Sequence, residues 1–94
     1  MQIDRKTIEA SLQRKGFVQE VRDHRYYYHE LNGRRTGPYT FISTGSSYKT
    51  YGVGLLKAMK IQLRLDTLTQ VHDLCACPMS REEYIRILHE KGIA

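Results

Sequence analysis

Asn32-Gly33 constrains this chain more than any other pair of residues. Both tolerate positive φ, which the tight turn of a two-residue β-hairpin demands at its two central positions. The runs on either side suit strands. His24 to Leu31 is dense in tyrosine, and Arg34 to Ser43 alternates Tyr39 and Phe41 with Thr40 and Ile42. The turn therefore predicts an antiparallel pair, 24–31 with 34–43. Pro38 has no N–H to give to a ladder, so the second strand lies at a sheet edge or breaks there.

The flanking segments fill out the architecture. Residues 4–15 read as a helix, with Ile8 and Leu12 on one stripe, Asp4 as its cap and Gly16 at its end. Phe17, Gln19 and Val21 alternate with Val18, Glu20 and Arg22, which predicts a strand. After the polar loop Ser43-Thr44-Gly45-Ser46-Ser47, residues 51–64 read as a second helix capped by Thr50. Gly52 and Gly54 weaken its first turn by roughly 1 kcal/mol each relative to alanine. A short helix is expected over 67–75, with Leu68, Val71 and Leu74 inward, and Pro78 ends that region. Ser80 followed by Glu83 reads as a capping box for a last helix over about 81–91, which buries Tyr84, Ile87 and Leu88. The prediction is a single α+β domain over 1–94. It has an αβββα core at 4–64, with a three-stranded antiparallel sheet covered on one face by helices, and a helical C-terminal extension at 65–94.

Composition narrows the partners. The chain has 94 residues and a formal net charge of +5, with a sequence pI near 9.4. That balance favours an anionic partner, most simply nucleic acid. No apolar run approaches the roughly 18 residues that cross a membrane. The N-terminus lacks the apolar core of a signal peptide. No membrane partner and a cytoplasmic location are therefore expected. Cys75 and Cys77 are too close for an unstrained disulfide and read as thiols, small and buried. Zinc would need more ligands than His72 nearby, so neither a metal nor a cofactor is expected.

The chemistry concentrates in Arg22-Asp23-His24-Arg25-Tyr26-Tyr27-Tyr28-His29 and in the Arg34-Arg35 pair that follows the turn. Cations attract phosphate, tyrosine rings offer faces to bases, and histidine moves a proton near neutral pH. Strand alternation puts His24, Tyr26 and Tyr28 on one face, and Arg25, Tyr27, His29 and Leu31 on the other. With Tyr27 and Leu31 turned toward the helices, His24 and Tyr28 are open to RNA. Asp23 is placed to orient His24, and His29 is a second proton carrier on the wrong face. The candidate RNA-binding residues are Arg22, Arg25, Tyr26, Tyr28, Arg34, Arg35, Lys49 and Lys57. Six of these have a plainer reading: the two tyrosines pack a sheet, Arg34 and Arg35 solvate a hairpin end, and Lys49 and Lys57 keep a helix soluble.

Arg14-Lys15-Gly16-Phe17, then Asp23-His24 with an aromatic at Tyr27, then His29 and Asn32-Gly33-Arg34-Arg35, resemble the HicA toxins of bacterial toxin–antitoxin systems. Lys49 and Leu55-Leu56-Lys57 continue the likeness, which covers about residues 5–63. The resemblance implies a fold similar to a double-stranded-RNA-binding domain. It also implies an mRNA-cleaving endoribonuclease that works with one histidine, and a HicB-like antitoxin partner. Carried onto this chain, the histidine is His24. Two departures stand out. The family usually has Gly-Ser before that histidine, where this chain has Arg22-Asp23, and the family usually ends near the second helix.

RNA supplies its own nucleophile, the 2′-hydroxyl. A ribonuclease must take that proton, stabilise an anionic phosphorane and protonate the leaving oxygen. A histidine suits either proton role, and nearby arginines hold the phosphate. The expected function is thus a HicA-like, metal-independent endoribonuclease of a type II toxin–antitoxin system, with His24 as acid and base. The alternatives are a non-catalytic RNA-binding module on the same fold, or a phage or mobile-element protein that inhibits nucleic-acid machinery. The sequence leaves monomer or homodimer open.

Overall fold

A computed structural model describes residues 2–43, 49–76 and 78–94. The elements run β1 (Ile3–Asp4), α1 (Arg5–Arg14), β2 (Phe17–Val21), β3 (His24–Leu31), β4 (Arg34–Ser43), β5 (Thr50–Tyr51), α2 (Val53–Gln62), α3 (Leu68–Cys75) and α4 (Arg81–Glu90). The principal sheet is three-stranded and antiparallel, in the order β2-β3-β4. The expected α+β architecture is therefore the observed one. Most of the predicted polar loop, residues 44–47, lies outside the described residues, and so does Cys77.

The Asn32-Gly33 turn forms as its chemistry requires, with φ of 53° and 78°. It sets Leu31 opposite Arg34 and Glu30 opposite Arg35. Beyond that the ladder shifts, and Tyr28 faces Tyr39. Thr36-Gly37-Pro38 bulges out against His29, with Gly37 at φ 123°. Pro38 thus sits where no ladder N–H is needed, on an edge strand that continues through it.

Three expectations need correction. Thr50 does not cap α2: Thr50 and Tyr51 form β5, which pairs with Ile3 and Asp4, and α2 begins only after Gly52. The buried side chains of Ile3 and Tyr51 face each other across this short ladder. Asp4 occupies the N-cap position of α1 but its side chain makes no capping bond. Instead the Arg5 N–H donates to the Lys49 carbonyl at 2.8 Å. In the C-terminal part, the reciprocal capping box belongs to Thr67 and Gln70. Ser80 makes only its own half, accepting from the Glu83 N–H.

The core lies between one sheet face and the helices. Ile8 and Leu12 of α1, Tyr27 of β3, Ile42 of β4 and Leu56, Met59 and Leu63 around α2 are buried together with Val71, Leu74 and Cys75 of α3 and Tyr84 and Leu88 of α4. The C-terminal helices therefore share one core with the preceding elements. The Tyr84 hydroxyl donates to the Leu63 carbonyl at 2.8 Å. The buried Lys15 ammonium donates to the carbonyls of Leu74 and Asp73 at the end of α3. That is the helix end where a cation is favoured. Burial pushes the Cys75 thiol up to about 12, so it packs as an inert small hydrophobe.

His29 enters this core fully buried, edge-on to Phe17 and to Tyr84, each at 5.1 Å between ring centroids. Its Nδ1 lies 2.7 Å from the Thr36 hydroxyl, and its Nε2 is buried without a hydrogen-bond partner among the described residues. Burial, helped by the positive charge of Arg81, lowers its pKa from 6.5 to about 4. The core holds the neutral ring, so the stabilisation is complete above pH 6.5 and is lost as pH falls toward 4. Urea unfolding across that window is expected to show a loss of about 3 kcal/mol, at 1.36 kcal/mol per pKa unit. His29→Gln is expected to flatten this dependence. An unchanged pH profile in the variant would assign it to other groups.

Candidate nucleic-acid interface

The helices cover only one side of β2-β3-β4. On the other side alternation places Val18 and Glu20 of β2, His24, Tyr26 and Tyr28 of β3, and Tyr39 and Phe41 of β4. The rings form a continuous cluster. His24 stacks on Phe41 at 5.2 Å and 19°, Tyr26 on Tyr28 at 6.1 Å and 17°, and Tyr28 on Tyr39 at 5.5 Å and 26°. Tyr26 lies 5.7 Å from Phe41 and joins the two ends.

Arginines lie on this cluster. The Arg35 guanidinium carbon is 3.7 Å from the centre of the Tyr28 ring, and that of Arg22 is 4.3 Å from the Tyr26 ring. Glu20 reaches both, pairing with Arg35 at 2.6 Å and with Arg22 at 3.7 Å. Arg22 also donates to the Tyr28 hydroxyl. All three charged side chains are about half exposed.

His24 stands at the end of the cluster, just after the Arg22-Asp23 turn that joins β2 to β3. Neither turn residue has positive φ, so this backbone does not call for glycine in place of Arg22. The Asp23 carboxylate accepts from the Tyr26 hydroxyl at 3.2 Å and lies 4.0 Å from His24 Nε2. Partial desolvation pushes the Asp23 carboxyl up, but the Tyr26 hydrogen bond and the His24 charge outweigh it and hold it below its usual range. His24 Nδ1 is buried without a hydrogen-bond partner among the described residues. Its other ring nitrogen, Nε2, is the one on the Asp23 side.

The predicted site residues divide between several places. His24, Arg22, Tyr26, Tyr28 and Arg35 come together on the open face. Arg34 is exposed at the hairpin end, beside a cavity of about 630 Å³ that Leu31, Asn32 and Ile93 also line. Arg25 turns to the helix side, where its guanidinium pairs with Glu9 at 2.9 Å. Lys49 lines a cleft of about 530 Å³ with Arg5 and Lys6. Arg5 reaches the carbonyl of Ser43, which pairs with His24, so the cleft lies at the His24 end of the sheet. Lys57 is exposed on α2, on the helix-covered side. Leu31 is only half-buried, and His29 is inside the core, remote from the open face.

Glu20, Tyr39 and Phe41 complete the face and were not singled out from sequence. Their signal was strand alternation on either side of the turn. Among the described residues no group of three His, Cys, Asp or Glu side chains is arranged to hold a metal. No described helix is long and apolar enough to cross a membrane. Comparison with protein-family models, curated proteins and solved structures found no match to this chain.

Behind the face, the Tyr27 hydroxyl donates to Glu9 at 3.0 Å and accepts from Gln19 at 2.9 Å. This network is structural. Tyr27→Phe removes both bonds while keeping the buried ring. It is expected to lower unfolding free energy by about 1–2 kcal/mol, the range for losing a hydrogen bond from a buried network. The loss is read by urea unfolding of the variant beside the wild type. An unchanged unfolding free energy would mean that the two bonds contribute nothing net to the fold.

Proposed function

We propose that this protein is a HicA-like endoribonuclease toxin of a type II toxin–antitoxin system. It binds mRNA in the cytoplasm on the open sheet face and cleaves it with His24. The observation that supports this reading is the company His24 keeps. It belongs to the same exposed cluster as Tyr26, Tyr28, Tyr39 and Phe41, with Arg22 and Arg35 beside them. A proton-transfer group, stacking surfaces and phosphate-binding cations share one surface there.

In the proposed reaction, His24 Nε2 takes the proton of a 2′-hydroxyl as its oxygen attacks the adjacent phosphorus. The 5′-oxygen departs and is protonated, leaving a 2′,3′-cyclic phosphate and a 5′-hydroxyl end. Arg22, whose guanidinium lies over the neighbouring Tyr26 ring, is the cation assigned to oppose the growing negative charge on the phosphorane. Asp23 lies 4.0 Å from the same histidine nitrogen. A HicB-like antitoxin would silence the protein by covering the aromatic face.

One observation favours RNA binding without cleavage. At 4.0 Å Asp23 is too far from His24 Nε2 to fix the ring by a hydrogen bond.

Purified protein is expected to cleave mixed mRNA in the presence of EDTA. His24→Ala is expected to slow cleavage by about 100-fold or more, the usual range for losing a general acid or base. Full activity in His24→Ala would overturn the catalytic assignment. Salt-sensitive RNA binding without any cleavage by the wild type would leave a binding module.

A further inference from the structure

We propose that the open face takes unpaired RNA by exchange: bases replace the Arg22 and Arg35 guanidiniums on the Tyr26 and Tyr28 rings, and the two arginines leave Glu20 for phosphates. This rests on the RNA-binding reading above and specifies the form of RNA and the gate it must open.

The guanidiniums already occupy the positions a base would take. A guanidinium is a flat, delocalised cation, and at 3.7 Å from the centre of the Tyr28 ring it lies at stacking distance. Arg22 covers Tyr26 in the same way at 4.3 Å. Glu20 pairs with Arg35 and with Arg22 at once, and Arg22 also donates to the Tyr28 hydroxyl. The hold is weak, since all three side chains are about half exposed and water screens the pairs. A phosphate offers each arginine a bidentate partner in place of a shared carboxylate. The arginines then gain backbone contacts at the moment the ring faces become free.

Only an unpaired strand can use those faces. In a duplex each base is stacked inside the helix, and the protein meets backbone, 2′-hydroxyls and base edges. A row of five rings, His24, Tyr26, Tyr28, Tyr39 and Phe41, has nothing to stack on there. A splayed single strand presents a face at every nucleotide.

The test uses a 12-nucleotide 2′-O-methyl RNA of mixed sequence, alone and annealed to its complement. This probe lacks a free 2′-hydroxyl, so binding is read by fluorescence anisotropy whether or not the protein cleaves RNA. The single strand is expected to bind at least about tenfold more tightly than the duplex. Tyr28→Ala is expected to weaken single-strand binding by roughly tenfold, within the range for one stacked base. Tyr28→Phe, which keeps the ring, is expected to bind nearly as the wild type does. Glu20→Gln is expected to tighten binding more than Glu30→Gln does, although both remove one negative charge from the sheet. Duplex binding as tight as single-strand binding would overturn the exchange and leave the RNA-binding reading standing. So would equal effects of the two glutamate substitutions. Absence of binding to either probe would overturn both.

Discussion

Tyr27 and His29 of β3 are driven into the core, and this fixes the outward direction of His24, Tyr26 and Tyr28. Successive side chains of a strand point to opposite faces, so one residue of slip would reverse all five. The buried pair makes that slip costly. It would carry the Tyr27 hydroxyl away from Glu9 and Gln19, and His29 away from its place between Phe17 and Tyr84. The open face is thus specified mainly from behind, by side chains that never reach it.

The C-terminal helices take part in that specification. Tyr84 of α4 closes the space around His29 on one side and ties itself to the end of α2 through the Leu63 carbonyl. Lys15 at the end of α1 holds the carbonyl end of α3. A ninety-four-residue chain has little interior to spare. Here the last third contributes Val71, Leu74, Tyr84 and Leu88 to the same core that backs β3. Without α4, His29 would lose one of its two aromatic walls, and the central strand would lose a support directly behind the candidate site.

The hairpin and its two faces were legible in the sequence because their causes are local. Asn32-Gly33 dictates a turn, and alternation dictates which side chains share a side. Pro38 marked β4 as an edge strand. The cross-strand pairing was less legible. Counted back from the turn, Tyr26 would face Tyr39, but the bulge at Thr36-Gly37-Pro38 moves its partner to Phe41. The shift preserves the sides, so the face stays aromatic while its partners change. The β1-β5 ladder left no trace, because two residues are too few to show a period. Arg25 looked like a phosphate ligand for a related reason. Its pairing with Glu9 joins residues far apart in the chain, and composition alone carries no such information.

An exposed sheet face with five rings would ordinarily invite aggregation. The arginines change that. Laid over Tyr26 and Tyr28, they replace part of an apolar surface with a hydrated cationic one, and Glu20 between them keeps opposite charge at hand. In the exchange proposed above, the side chains that cover the rings are the ones an anionic partner would attract away. Covering and uncovering the rings would then be one movement, driven by the difference between one shared carboxylate and several phosphates. A neutral or cationic partner would offer the arginines no reason to leave, so the proposed exchange would select by charge before it selects by shape.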